Sequence, residues 1–326
     1  MDNLIFYNIS NINDSILDQD ICKKIKFNNL QLFSKYYKEY YGKQFIDLTF
    51  IVFGRNECLG YVVCCVQDSK LWLPNDGVWI ELFIDCVNKK TKIYSQIIDY
   101  LKILANQHSC NEIIIKDSLN DGMLSLLGQI LFNNKYHANL TFEMLVDYKN
   151  FNKTSYRTNL RKSYKSLINW GKKNLEILVI NQQNLSFDHF VTFKLFHHKI
   201  SGRKTRSDES WNIQYQMIEQ GFGELILGYY QQDLVAGSLF IDQKDVTVYF
   251  TGVYERELFE FGISHYLLYK GICRFYERGN TSKFYLGYFD TNIKDSKLYN
   301  IQFFKKGFCD NLFPIILWSK EINKNE

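Results

Sequence analysis

The stretch from Val246 to Asp290 constrains the fold of this chain more than any other part. It reads as a strand (Val246 to Tyr254), a charged turn, an amphipathic helix that opens near Gly262 and ends at Gly279, and a second strand (Lys283 to Tyr288). The last glycine suits the left-handed conformation that ends many helices. A strand, a crossover helix and a second strand predict a βαβ unit, and the amides at its helix N-terminus can bind an anion.

The order of elements in this stretch occurs twice in the chain. In both halves a strand pair is followed by a strand, a helix, a strand, a second helix and a final strand, at an offset of about 170 residues. In the second half the strand pair covers residues 224–230 and 234–242. A chain of 326 residues can hold two cores. We therefore predict two copies of one α/β domain, over residues 1–150 and 151–326.

The second half also carries a series of motifs in a characteristic order and spacing. They are Gly252, the pair Phe259 and Phe261, Gly262, Leu267-Leu268, Glu277-Arg278-Gly279, Leu286-Gly287, and the segment from Phe303 to Phe308. Together they resemble the second domain of the FemAB-like transferases, which are tandem GNAT-fold acyltransferases and include the BioF2-like acetyltransferase group. The resemblance implies two GNAT-like domains, each with a mixed central sheet flanked by helices, and an enzyme that transfers an acyl group.

The two copies differ at the place where a donor would bind. After its central strand the first copy has the segment Val87 to Lys92, without glycine, whereas the second has Gly262 and Ser264. Only small residues let a pyrophosphate approach helix amides closely. We therefore predict a donor side in the second domain and an acceptor side in a degenerate first domain. The cofactor-binding candidates are Val253, Gly262, Ile263, Ser264, His265 and Lys305.

The resemblance implies two alternative donors. The first is acyl-CoA, such as acetyl-CoA, although Phe259 stands where the GNAT phosphate loop has Gln or Arg, and Ser264 replaces its last small residue. The second is aminoacyl-tRNA, which characterised FemAB enzymes use; Phe304, Lys305 and Lys306 resemble their donor-end contacts. Because the phosphate loop is incomplete, a non-catalytic tandem-GNAT binding protein is the third alternative.

Acyl transfer to an amine requires a group that stabilises the oxyanion and a group that accepts a proton. In the GNAT fold a backbone amide of the splayed central strand holds the donor carbonyl, and Gly252 and Val253 are the corresponding candidates here. Tyr249, Asp290 and Glu209 are the candidate acids or bases. With Gly252 they make up the predicted catalytic set.

Basic residues concentrate between the two copies. Residues 155–174 are predicted to form one inter-domain helix, on which Arg157, Arg161 and Lys165 align at four-residue spacing. No acid interrupts this segment, which favours a phosphate clamp over a solvated face. FemAB-like proteins carry a similar Asn-x-Arg-Lys helix, and a second basic loop follows. The substrate-binding candidates are Arg157, Arg161, Lys162, Arg203 and Arg206.

Composition limits the partners of the chain. The net charge of +4 is too small to indicate a nucleic-acid-binding protein by itself. The adjacent His197 and His198 have no third ligand at a suitable spacing, so no metal site is predicted. Scattered cysteines, the absence of a signal-like N-terminus and short apolar runs predict a cytoplasmic protein without a transmembrane segment. The expected acceptor is an amino group of a phosphate-bearing sugar precursor in bacterial cell-surface glycan synthesis.

Overall fold

The computed structural model describes residues 4–9, 19–54, 57–74, 76–291, 293–309 and 311–322. The chain divides into two compact units. Unit 1 consists of residues 1–141 and 314–326, and unit 2 consists of residues 142–313. This division differs from the predicted one, in which the boundary followed residue 150 and the second domain kept the C-terminal residues. The last residues belong to unit 1 because the final strand pairs with a strand of that unit.

Unit 1 contains short strands and four helices among its described residues. Its elements are β1 (Ile5–Asn8), α1 (Gln19–Ile25), α2 (Phe27–Tyr41), β2 (Ile46–Asp47), β3 (Phe50–Phe53), β4 (Cys58–Val63), β5 (Cys65–Gln67), β6 (Lys70–Trp72), β7 (Trp79–Leu82), α3 (Val87–Gln107), β8 (Glu112–Ser118), α4 (Leu126–Asn133) and the first part of β9 (His137–Asp147). An antiparallel sheet has the order β1-β3-β4-β7, and β6 pairs with β8 in parallel. Ile97 and Leu101 of α3 pack with Ile113 and Ile115 of β8 in the core.

Unit 2 contains the longer strands. It begins with the second part of β9 and continues through α5 (Lys153–Asn159), α6 (Lys162–Asn174), β10 (Glu176–Ile180), α7 (Phe187–Ser201), α8 (Asp208–Glu219), β11 (Gly223–Tyr230), β12 (Asp233–Gln243), β13 (Val246–Tyr254), a 3₁₀ turn (Arg256–Phe261), α9 (Ile263–Arg278), β14 (Lys283–Phe289), α10 (Ser296–Lys306) and the start of β15 (Asn311–Glu321). Its strands follow the order β10-β11-β12-β13-β14-β9, with β13 and β14 parallel and the other neighbours antiparallel.

The predicted βαβ unit is present. β13 has the predicted bounds, and α9 lies between Gly262 and Gly279, which both have φ of 66°. One face of α9 is buried against the sheet, and a Cβ at Gly271 would lie 2.4 Å from Cζ of Phe240. The order strand, helix, strand, helix, strand recurs as β7-α3-β8-α4-β9 and as β13-α9-β14-α10-β15. This recurrence confirms the predicted duplication.

The single helix predicted over residues 155–174 is wrong. Two helices, α5 and α6, are separated by Leu160 and Arg161, whose backbones are extended with ψ of 153° and 145°. Leu160 is buried in the core of unit 2 at the point where the chain leaves helical conformation. Asn152 caps α5 by accepting hydrogen bonds from the amides of Thr154 and Ser155. Because of the break, the predicted alignment of basic residues along one continuous helix is interrupted.

Candidate active site

β13 and β14 separate partway along their length. Their parallel pairing stops at Val248 and Tyr285, although β13 continues to Tyr254 and β14 to Phe289. A register shift between β12 and β13 leaves Phe250 as an extra residue, and such a bulge bends the strand that carries it. Within the described part of unit 2, β14 therefore provides no partner strand for the last residues of β13. The gap between the two strands is therefore the candidate site.

Lys305 places its ammonium group between the separated strands. Its Nζ lies 5.4 Å from the ring centre of Tyr249 on β13 and 3.6 Å from the position that a Cβ of Gly287 on β14 would occupy. Gly287 has φ of 109°, a conformation that favours glycine. No ion pair joins Lys305 to a carboxylate among the described residues, and burial lowers the pKa of its ammonium to about 8. The gap therefore contains an ammonium group that can stabilise negative charge on a ligand.

Three hydroxyl groups form a chain beside this lysine. The hydroxyl of Tyr254 lies 2.6 Å from that of Tyr249 and 2.7 Å from that of Ser238, which is fully buried. Burial raises the pKa of Tyr254 to about 12 and that of Tyr249 further, so both phenols stay protonated near neutral pH. A Cβ at Gly252 would lie 1.9 Å from the hydroxyl of Tyr249. The glycine is required because the phenol occupies the space of a side chain.

The structure thus brings together Tyr249, Gly252 and Lys305 from the predicted set. It adds Tyr254 and Ser238, which the sequence did not indicate, since Tyr254 is one of 23 tyrosines and lies in no motif. Gly287, which also borders the gap, was part of the family motif but had no assigned role. A glycine inside a strand, as at this position, is the signal that could have marked it.

The start of α9 is covered rather than open. A Cβ at Gly262 would lie 2.5 Å from Cβ of Leu167 on α6, and the ring of Phe261 stacks on Trp170 with 4.9 Å between centres. The amide of Gly262 donates to Phe259 O at 3.0 Å. The side chains of Ile263 and Val253 are buried. This packing differs from the prediction, in which Gly262 was open to an approaching pyrophosphate.

The preceding turn carries negative charge. Glu255 begins it and accepts a hydrogen bond from the amide of Arg256, and Glu257 and Glu260 follow within the 3₁₀ segment. Arg256 in the same turn and Lys199, whose Nζ lies 3.7 Å from Glu255, offset part of this charge, and the remaining carboxylates repel a pyrophosphate by Coulomb interaction. The charge and the packing of α6 act in the same direction, because both disfavour a diphosphate at the start of α9.

His265, a predicted cofactor-binding residue, packs among aromatic rings. Its ring centre lies 4.5 Å from that of Tyr164 and 4.9 Å from that of Phe304. Burial lowers the pKa of His265 to about 4, so the imidazole is neutral near pH 7. Ser264 beside it is half-buried. The surroundings of His265 are those of a core residue.

The predicted substrate-binding cations contact different elements. The guanidinium of Arg161 lies 4.4 Å from the ring centre of Phe303 on α10, and Arg157 donates a hydrogen bond to Asn169. Arg206 lies 4.9 Å from the ring centre of Trp211 on α8. Lys162 and Arg203 are exposed, at the start of α6 and in the loop between α7 and α8. The arginines of α5–α6 and of this loop therefore have separate sets of neighbours.

Two predicted acids lie in different surroundings. The amide of Asp290, the residue after β14, donates to the side chain of Gln302 on α10 at 3.2 Å, which places Asp290 at the end of a strand that borders the gap. Glu209 is exposed in the first turn of α8 and accepts a hydrogen bond from Asn212 on the same helix at 3.3 Å. Of the two, Asp290 is the one on an element of the gap.

Neither a metal site nor a membrane-spanning helix is found in the described ranges. No group of three His, Cys, Asp or Glu side chains there could hold a metal ion. In the same ranges, no helix has the length and apolar character to span a bilayer.

The chain resembles solved structures in its fold, without a match in sequence to a family model or a curated protein. Among solved structures, FemX matches with a TM-score of 0.63 at 13% identity, over 87% of this chain and 90% of FemX. A tandem GNAT protein from the clavulanic acid biosynthesis pathway matches with a TM-score of 0.54 at 9% identity, over 98% of both chains. L-PGS from Bacillus licheniformis matches with a TM-score of 0.55 at 11% identity, over 82% of both chains.

These matches identify the fold, since each extends over most of both chains. The predicted α/β architecture of two tandem GNAT-like domains is confirmed, and it is the fold of the FemAB-like proteins.

Proposed function

We propose that this chain of tandem GNAT fold is a transferase that moves an acyl or aminoacyl group from an activated carrier to an amine, with the gap between β13 and β14 as its reaction site. The observation that carries the proposal is the ammonium of Lys305, which lies between the two strands near Tyr249 and Gly287 without a carboxylate partner among the described residues. A half-buried lysine whose ammonium is largely removed from water suits a reaction in which negative charge develops on a carbonyl oxygen.

The reaction forms one bond and breaks another. The nitrogen of the acceptor amine attacks the carbonyl carbon of the donor, a C–N bond forms, and the bond from that carbon to the carrier breaks. The carrier leaves with the electron pair and takes up a proton, while the amine loses one to solvent or to the leaving group. In this proposal Lys305 stabilises the oxyanion, an amide of Gly252 or Val253 orients the carbonyl, and the phenol of Tyr249 holds the ammonium in place.

The covered start of α9 favours aminoacyl-tRNA over acyl-CoA as the donor. In a GNAT enzyme the CoA pyrophosphate would approach the amides at this helix start, whereas Leu167 packs on Gly262 here and glutamates occupy the preceding turn. A tRNA presents its aminoacyl ester from a single-stranded end and needs no pyrophosphate site at that helix. Acetyl-CoA is the competing donor that the tandem GNAT fold itself suggests.

The proposed acceptor is an amino group on a phosphate-bearing sugar precursor of the bacterial cell surface. Support comes from exposed cations, with Arg161 and Lys162 at the break between α5 and α6 and Arg203 in the loop between α7 and α8. Arginine binds phosphate oxygens in pairs, which suits such an acceptor.

The donor question is tested by calorimetry of the full chain with acetyl-CoA and with aminoacyl-tRNA, followed by transfer assays to amino-sugar phosphates. We expect binding of the charged tRNA, and transfer that the Lys305→Met substitution reduces by about a hundredfold or more, the typical effect of losing one oxyanion donor. Transfer should also fall as the pH rises through about 8, because Lys305 then loses its proton.

The exposed Lys297 on the same helix supplies the matched control, Lys297→Met, which should keep the wild-type rate. Acetyl-CoA binding with transfer would reverse the choice of donor. Equal rates for Lys305→Met and the wild-type chain would remove Lys305 from the mechanism. Failure to bind either donor, with no transfer, would favour a non-catalytic binding protein.

A further inference from the structure

A groove lined by cations lies along α9 on the side that faces α5 and α6. Two adjoining cavities, of about 230 Å³ and about 390 Å³, share Lys153, Arg157 and Tyr269 in their walls. We call this region the basic groove. Its six cations are Lys153, Arg157, Lys165, Lys172, Lys270 and Arg274.

One acid, Glu277, faces these six cations in the walls of the groove. On ordinary surface helices, acids at three- and four-residue spacing neutralise such a set. Like charges held close together repel one another, and an anion that binds among them removes this cost. The excess of positive charge therefore indicates an anionic ligand with more than one charge.

Four of the six cations are held in position by neighbours. Lys153 pairs with Glu277, Arg157 donates to Asn169, Lys165 donates to the carbonyl of Thr158, and Arg274 pairs with the buried Glu224. The other two, Lys172 and Lys270, make no hydrogen bond or ion pair within the described ranges. Four cations of the groove are thus held in position, and the ammonium groups of Lys172 and Lys270 can move to contact a ligand.

The floor of the groove is apolar and partly aromatic. Ile168, Tyr266 and Cys273 line it, and the ring of Tyr269 is stacked parallel to Tyr156, with 6.2 Å between centres and 3° between planes. The helices approach closely here, since a Cβ at Gly171 would lie 2.4 Å from Cβ of Tyr266. A tyrosine face beside clustered cations suits a ligand with a planar ring and a charged chain.

The groove is separate from the reaction gap. The gap is bordered by Gly252, Gly287 and Lys305, none of which lines either cavity. The face of α9 that packs on the sheet carries Leu267 and Phe275, whereas the groove uses residues of its other side.

We propose that the basic groove binds a small ligand with two or more linked phosphates, such as a nucleoside diphosphate, with the phosphates among Lys172, Lys270 and Arg157 and the base on Tyr266 or Tyr269. The larger of the two adjoining cavities has the size of a small-molecule pocket, since ligand pockets usually enclose about 300–1,000 Å³. The inference does not depend on the proposed transfer reaction.

The test is calorimetry of the full chain with ADP, UDP, inorganic pyrophosphate and inorganic phosphate, with no acyl donor or amine present. We expect both nucleotides to bind, pyrophosphate to bind more weakly, inorganic phosphate weakest, and all affinities to fall with added salt. The Lys172→Glu/Lys270→Glu variant should weaken ADP binding by about tenfold or more, because hydrogen bonds to charged groups are lost. Lys173→Glu, an exposed lysine of α6 outside both cavities, should bind like the wild-type chain.

The Lys305→Met variant locates the binding site. It should bind ADP with unchanged affinity, and a loss would place the nucleotide in the reaction gap and overturn the proposal. Equal weakening by Lys173→Glu, no binding of any phosphate ligand, or binding of an RNA oligonucleotide without binding of ADP would also overturn it. If charge reversal lowers the melting temperature, the Lys172→Gln/Lys270→Gln variant provides the same test without reversed charge.

Discussion

Replacing Lys305 by methionine should stabilise unit 2 while it removes the proposed activity. The pKa of Lys305 falls from 10.5 to about 8 because the ammonium is buried. At about 1.4 kcal/mol for each pKa unit, this change corresponds to about 3 kcal/mol of folding free energy that the charged form costs. Methionine has a similar length and carries no charge, so the variant should regain an amount of this order near pH 7.

The size of this effect depends on pH. Below about pH 8 the lysine is protonated in both the folded and the unfolded state, so the full cost of burying the charge is present. Between about 8 and 10.5 the unfolded state binds the proton more tightly, so the stability of the wild-type chain rises with pH. The gain in unfolding free energy from Lys305→Met should therefore be largest at neutral pH and vanish above pH 10.5.

Thermal unfolding of the full chain at several pH values measures this difference. For a unit of this size, 1 kcal/mol shifts the melting temperature by about 2–4 °C, so a rise of about 6–12 °C is expected for unit 2 at pH 7. Lys297→Met, an exposed position of α10, corrects for the change in helix propensity and net charge. A rise equal to that of Lys297→Met, or one that is the same from pH 7 to pH 11, would refute the burial of a charged Lys305.

Two further substitutions test the packing around the gap and the groove. Gly171→Ala places a Cβ 2.4 Å from Tyr266, so α6 and α9 must move apart, and urea unfolding should show a loss of about 1–3 kcal/mol, with Ser163→Ala on α6 as the exposed control. Tyr254→Phe removes the hydroxyl that joins Tyr249 to the buried Ser238 and should cost about 1–3 kcal/mol by the same measurement. The double variant Tyr254→Phe/Ser238→Ala should recover part of that loss, since it removes the buried hydroxyl of Ser238 that would lack this partner and leaves only that of Tyr249; no recovery would show that the bond to Ser238 contributes little.

Local patterns predicted β13 and α9 because their signals lie within the elements themselves. The apolar spacing of α9 and its glycine ends, Gly262 and Gly279, correspond to the observed caps. The duplication was also visible, because both copies keep the same order of elements. In these parts of the chain, local preference and tertiary packing favour the same structure.

The remaining features depend on contacts between residues that are distant in the sequence. The break at Leu160 has no glycine or proline to mark it and coincides with the burial of that side chain in the core of unit 2. The covered state of Gly262 depends on Leu167, which lies in another helix. The burial of Lys305 depends on the divergence of β13 and β14. The spacing of apolar residues along a single helix or strand carries no information about these long-range contacts.

The placement of the final strand sets an order for folding during synthesis. Residues 315–321 pair with residues 112–118, so this sheet of unit 1 lacks a strand until a segment that follows all of unit 2 has been made. Unit 2 is continuous in sequence and is available earlier. Although domains generally fold in the order in which they are made, the part of unit 1 that precedes unit 2 keeps one edge of a sheet unpaired until residues 315–321 follow unit 2.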